Sequence, residues 1–208
     1  MNIYEYIDYT LLKATATTKE IFDLCDEAFN KGCASVCIPS NFVYEVKEMY
    51  GEELRVCTVV GFPLGNSTLE TKVAEARQAI KDGADEIDMV MNIGEFKNGN
   101  HYFLSREIDA IAEVMPKKAI LKVIIETCYL TGEEIAIATK IVDESFADYV
   151  KTSTGFGTRG ASFRDIDIMN AVICNGTKIK ASGGIRTKED MIKYLELGCD
   201  RIGASKLP

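Results

Sequence analysis

Residues 68–92 read TLETKVAEARQAIKDGADEIDMVMN and hold both periods of an α/β fold in one continuous stretch. Thr68 is a capping residue whose side-chain oxygen can accept one of the free N–H groups at a helix start. The helical stretch runs from there to Asp82, and Gly83 stands where a left-handed residue commonly ends a helix. The period then changes to two, with Glu86 and Asp88 alternating with Ile87 and Met89. A helix that runs directly into a short strand is the crossover unit of a parallel sheet.

The same alternation recurs along the chain. Apolar, β-branched runs at 6–11, 34–38, 56–61, 86–92, 119–126, 148–152, 178–181 and 201–203 read as eight strands, and seven helical stretches, 18–31 and 68–82 among them, fill the gaps. Eight such strands admit a closed barrel or an open doubly wound sheet. No G-x-G-x-x-G turn follows the first strand to favour the open sheet, so an α/β fold of the (β/α)8 TIM barrel type is expected. No linker, low-complexity tract or charge block divides the chain, and one domain over 1–208 is expected. The sequence stops at Pro208 before an eighth helix, which leaves the outer faces of the last and first strands short of their usual cover. A second subunit, most simply in a twofold homodimer, or the amino-terminal segment is expected to close that seam; a truncated and impaired barrel is the alternative.

Composition removes several classes of function. A content of 47% hydrophobic and 27% charged residues suits a globular chain with a substantial core. The net charge of -8 comes without the basic stripe that nucleic-acid binders use, so nucleic acid is not an expected partner. Apolar runs such as 119–125 are broken by Lys122 and fall short of the roughly 20 residues a membrane helix needs. The amino terminus lacks the basic start and apolar stretch of a secretory signal, and the cytoplasm is the expected location. Seven cysteines form no CxxC pair, and the single His101 has no partners at ligand spacing, so neither a disulfide framework nor a metal site is expected.

A barrel strand points alternate side chains at the helices and into the barrel, so charges belong on neither face without a cause. Yet Glu86 and Asp88, Lys122 and Glu126, and Lys178 and Lys180 recur at even spacing on three strands. If the apolar residues between them meet the helices, the charged set faces inward, with Lys151 at the end of its own strand. Ammonium and carboxylate groups then gather toward the carboxyl-terminal end of the barrel, where active sites of this fold are built. Structural ion pairing competes with catalysis as the reading of any one lysine. Several buried charges must in any case pair with one another or with a ligand. Glycine turns follow the same strands: Gly155-Phe156-Gly157 after Lys151, Ser182-Gly183-Gly184 after Lys180, and Gly203-Ala204-Ser205 after the last strand. Each alone is an ordinary turn needing positive φ; together they suit a phosphate held by backbone N–H groups.

These residues carry a resemblance. YVKTSTGFG at 149–157 is similar to the Schiff-base lysine motif of the deoxyribose-phosphate aldolase family, and IKASGGIRT at 179–187 to its second-lysine motif. SVCI at 35–38, VGFPLG at 60–65, EIDMV at 86–90 and KVIIET at 122–127 agree in order, and the resemblance covers 7–205. It implies reversible cleavage of 2-deoxy-D-ribose 5-phosphate into D-glyceraldehyde 3-phosphate and acetaldehyde, with no metal or organic cofactor. Lys151 is implied as the amine that forms the iminium, Lys180 as the ammonium whose repulsion favours a neutral neighbour, and Asp88 as the carboxylate that moves protons through Lys180 and water. Gly155, Gly183, Gly184, Gly203 and Ser205 are implied to hold the phosphate, with Arg186 adding charge or pairing with Glu189 or Asp190. Thr10 lies in the first-strand motif beside Asp8. Cys37 either lines the substrate cavity or is a buried inert thiol.

Two departures stand out. Tyr9 occupies a position where the family usually has His, and its alternation with Asp8 and Thr10 points it outward. Lys206 replaces the second serine of the last phosphate turn. Another lysine-dependent sugar-phosphate aldolase and a catalytically impaired phosphate-binding barrel are the competing functions.

Overall fold

The computed structural model describes residues 2–208. Eight parallel strands close in sequence order: β1 (Ile7–Thr10), β2 (Ser35–Cys37), β3 (Val56–Val60), β4 (Glu86–Val90), β5 (Ile120–Ile124), β6 (Tyr149–Lys151), β7 (Lys178–Ser182) and β8 (Arg201–Ala204), which pairs back onto β1. Around them lie α1 (Thr18–Lys31), α2 (Val43–Tyr50), α3 (Leu69–Lys81), α4 (Ile93–Lys97), α5 (His101–Ala112), α6 (Gly132–Asp143), α7 (Phe163–Asn170) and α8 (Lys188–Glu196). The expected barrel is present. One gap holds two helices where one was expected, because Asn100 caps a new helix by accepting the Phe103 N–H. Among the described residues no helix is long and apolar enough to cross a membrane.

Local chemistry sets the boundaries. Thr17 and Glu20 form a reciprocal capping box at the start of α1. Thr68 caps α3, whose far end closes through Gly83 at φ 101, with the Ala84 N–H donating back to the Ala79 carbonyl at 2.9 Å. Strand register then separates two populations of side chain. Ile7, Val36, Val56, Ile87, Met89, Val123, Val150, Ile179, Ala181 and Ile202 are buried in the apolar layer under the helices. The other parity points inward, and pairing aligns it around the barrel: Cys57 with Glu86, Asp88 with Lys122, Lys151 with Lys180, and Lys180 with Arg201. Tyr9 points outward as expected and donates to Glu27 Oε2 at 2.8 Å.

The seam between β8 and β1 decides among the covers expected for it. Residues 205–208 carry no helix, yet Ile7 and Ile202 are fully buried within one chain. Ile3, Tyr4 and Leu207 belong to the same apolar cluster, and the Tyr4 hydroxyl donates to the Pro208 carbonyl at 3.3 Å. The two end segments thus meet over the seam, and no second subunit is needed to cover those strands.

Candidate active site

Four cationic side chains and three carboxylates fill the barrel interior. Asp88 sits at the centre. Its Oδ2 accepts from Lys151 Nζ at 2.6 Å and from Lys180 Nζ at 2.7 Å, while Oδ1 accepts from Lys122 Nζ at 2.8 Å. Lys180 also pairs with Asp8, whose other oxygen accepts from Arg201 Nη1 at 2.6 Å. Lys122 pairs with Glu86 at 2.5 Å, and Arg201 lies 3.5 Å from the same carboxylate. All seven side chains are buried.

The field inside this cluster outweighs desolvation. Burial pushes the Asp88 carboxyl upward, but Lys122, Lys151 and Lys180 together hold it well below the usual carboxylate range. Burial opposes ionisation of Asp8 as well, and Lys180, Lys122 and Arg201 override it in the same direction. Burial would draw Lys180 down; Asp8 and Asp88 instead raise it, and Asp88 leads the groups that raise Lys122. Lys180 and Lys122 are therefore fixed ammonium groups. Burial pushes the Cys57 thiol well up, so it keeps its hydrogen and donates to Asp88 Oδ1 at 3.2 Å.

A cavity of about 380 Å³ opens at the carboxyl-terminal end of the strands. Lys151 is the one member of the charged cluster that lines it; Thr10, Gly155, Gly183, Gly184, Arg186, Gly203 and Ser205 form other parts of its wall. The glycines there answer two different needs. Gly183 adopts φ 85 against Gly160, where a side chain would drive into the Gly183 carbonyl, whereas Gly203 is needed for space because a Cβ would come within 2.9 Å of Ser182. Side chains fix the turns: Ser182 Oγ donates to the Ser153 carbonyl at 2.6 Å. Arg159 ties the loop after β6 to Asp165 and to the Thr127 carbonyl, the latter at 3.1 Å.

Lys151, Lys180 and Asp88 are thus brought together, and the expected phosphate residues share one wall. Three expectations need correction or resolution. Cys37 is fully buried and does not line the cavity; it lies beneath, within 4.8 Å of Cys57 Sγ and the Asp88 carboxylate, because its inward position on β2 is below the rim. Lys178 keeps inward parity but sits exposed at the amino-terminal rim, over the Tyr149 ring, so it is outside the cluster. Arg186 is exposed on the cavity wall and pairs with neither Glu189 nor Asp190. The reading of the sequence missed Lys13, which lines the cavity and pairs with Glu20, and it gave no role to Arg201 or Cys57. Lys13 follows the Leu11-Leu12 pair directly, and that placement after a barrel strand was the available signal.

Cys37, Cys57 and Asp88 also form a group compact enough to hold a metal ion. The surroundings argue against one. A cation there would face Lys122, Lys151 and Lys180, all already bonded to Asp88.

Known proteins resemble this chain over nearly its whole length. The chain belongs to the DeoC/LacD family of aldolases, whose model matches residues 4–205. A deoxyribose-phosphate aldolase of Clostridium botulinum (strain Alaska E43) is 50% identical over 204 residues, covering 98% of this chain and 92% of its own. The solved aldolase QR15 superposes with a TM-score of 0.93 at 39% identity, over 98% of this chain and 91% of that one. A solved tetrameric deoxyribose phosphate aldolase of Aeropyrum pernix gives 0.90 at 29%, over 98% and 86%.

Proposed function

We propose that this chain is a class I aldolase that reversibly cleaves 2-deoxy-D-ribose 5-phosphate through a Schiff base on Lys151. The observation that carries the reading is the position of Lys151, which alone connects the buried charged cluster to a cavity walled by glycine turns. Lys151 is one of four cationic side chains set against three carboxylates, and covalent capture of a substrate aldehyde uses its amine as the nucleophile.

The neutral amine adds to the C1 aldehyde of the open-chain sugar, and the carbinolamine loses water to give an iminium. Removal of the C3 hydroxyl proton breaks the C2–C3 bond. Its electron pair flows into the iminium, leaving an enamine on Lys151 and releasing glyceraldehyde 3-phosphate. Protonation of the enamine at C2 and hydrolysis then release acetaldehyde. A water in the cavity carries the proton taken from the C3 hydroxyl and returned at C2, while Asp88, which accepts from both Lys151 and Lys180, stays the anion that orients the two nitrogens and balances the iminium. Backbone N–H groups of Gly183, Gly184 and Ser205 hold the phosphate, with Arg186 and Lys13 supplying charge at the rim. The tetrameric relative favours a homo-oligomer for this chain also, which sedimentation across a range of concentrations would test.

Borohydride reduction in the presence of deoxyribose 5-phosphate, followed by peptide mass mapping, tests the reading. A carbon adduct on Lys151 is expected; an adduct on Lys180 or Lys122 with Lys151 untouched would refute it.

A further inference from the structure

Glu126, just beyond β5, is the only described non-glycine residue with positive φ, at φ 52 and ψ 68. That conformation is unfavourable for a residue that carries a side chain, and glycine would adopt it freely. The side chain is also 1% exposed and has no cationic partner among the described residues. A buried carboxylate on strained backbone needs a reason beyond making a turn. Both of its oxygens are spent on one residue. Oε1 and Oε2 accept the Thr154 N–H at 3.3 and 3.2 Å, and Oε2 also accepts the Thr154 hydroxyl.

Thr154 lines the cavity beside Lys151, and its Oγ1 accepts the Phe156 N–H at 3.0 Å. A hydroxyl has one hydrogen and two lone pairs. Here the hydrogen is committed to Glu126 and one lone pair to Phe156. The remaining lone pair can accept from a ligand in the cavity, and Thr154 has nothing left to donate.

We propose that Glu126 is a positioning residue for the aldolase reaction: it fixes the Thr154 hydroxyl as a pure acceptor and thereby selects substrates that present a hydroxyl donor along the carbon chain. The proposal rests on the Lys151 Schiff-base reading. Substrates with a carbonyl or fluorine in place of that hydroxyl meet lone pair against lone pair and are rejected.

Two readouts separate this role from a structural one. Acetaldehyde carries no hydroxyl, so its borohydride trapping on Lys151 reports the amine alone, whereas kcat/KM for deoxyribose 5-phosphate reports the amine and hydroxyl recognition together. Glu126→Gly removes the carboxylate and leaves a residue at ease with φ 52. Its kcat/KM should fall about tenfold to a hundredfold, the usual effect of losing a hydrogen bond to a charged group, while the trapping rate stays within about twofold. Thr154→Val should fall similarly, and the double variant should lose less than the product of the single losses because the two residues act as one unit. Equal falls in trapping and turnover, or a double loss equal to that product, would overturn the proposal. Should Glu126→Gly not fold, Thr154→Val carries the comparison of readouts. Absence of Lys151 trapping in the unaltered protein would instead remove the aldolase reading itself.

Discussion

The molecule buries charge in two places, and they behave in opposite ways. Outside the barrel wall, Lys72 on α3 and Glu107 on α5 form a fully buried pair at 2.7 Å. Lys72 also donates to the Val90 carbonyl, and Glu107 accepts the Asn92 N–H. With one partner each, burial dominates: it draws the Lys72 ammonium down and pushes the Glu107 carboxyl up. Inside the barrel each central group has several opposite charges around it, and the shifts reverse, fixing Asp88 as an anion and Lys180 as a cation. The outer pair bonds to itself and to backbone and does not line the cavity, whereas the inner cluster reaches open space through Lys151. Burial of charge is therefore no mark of catalysis; an excess of mutually supporting charges that opens onto a cavity is.

The sharpest way to break this comparison is to remove one lysine from each site. Lys151→Ala should lower aldolase turnover by about a thousandfold or more and abolish the borohydride adduct with the fold intact. Lys72→Met should keep the adduct but lose about 3 to 5 kcal/mol of stability in urea, because Glu107 is left buried without its partner. Adding Glu107→Leu should restore most of that loss. A Lys72→Met protein that is stable but unable to form the adduct would erase the distinction.

Acid sharpens the contrast next. Asp8 and Asp88 lie below their ordinary range in the folded chain, so the unfolded chain takes up protons first. Their contribution is fully present above about pH 4 and is lost as pH falls through the folded values. Glu107 has the opposite sign, since its raised folded value makes it take up a proton before the unfolded chain does. Urea midpoints should therefore hold from pH 7 to about pH 4 and fall steeply as the pH is lowered further; the fall should be shallower in Asp8→Asn and should persist in the Lys72→Met/Glu107→Leu protein. A smaller effect is expected at the rim. Arg186→Ala should raise KM for deoxyribose 5-phosphate about tenfold and leave unphosphorylated deoxyribose unaffected, as steady-state kinetics would check. The smallest expected effect is that of EDTA, which should leave the rate unchanged because the iminium supplies the electron sink.

Much of this architecture was legible in the residues themselves. Alternation at Glu86, Asp88, Lys122 and Lys180 marked both the strands and their inward face, since a period of two fixes which side chains share a surface. The glycine turns were legible for the same reason: their positions relative to strand ends are local facts. What stayed hidden depended on closure. Asp8 reads as one acidic residue in a short strand, and only the pairing of β1 with β8 shows that Arg201 and Lys180 surround it. The role of Lys178 was misread because parity says which way a side chain points but not how far along the barrel axis it lies. Which of the expected covers closes the seam was not legible, because only the folded chain shows that its two ends meet over β1 and β8.

Closure through Asp8 also bears on how the chain is made and folded. Its partner Arg201 lies 193 residues away in sequence, and Lys180 lies 172 away. A growing chain that has already shaped its first strands holds Asp8 without the cations that keep it charged at little cost. Half a barrel would therefore carry buried carboxylates and ammonium groups out of balance, an arrangement that favours water-filled, loosely packed intermediates over compact ones. Joining the last strand to the first spans nearly the whole chain, and contacts of such long range form slowly. The same step that seals the barrel completes the electrostatic setting of Lys151, so catalytic competence should emerge late in refolding, together with the final gain in compactness.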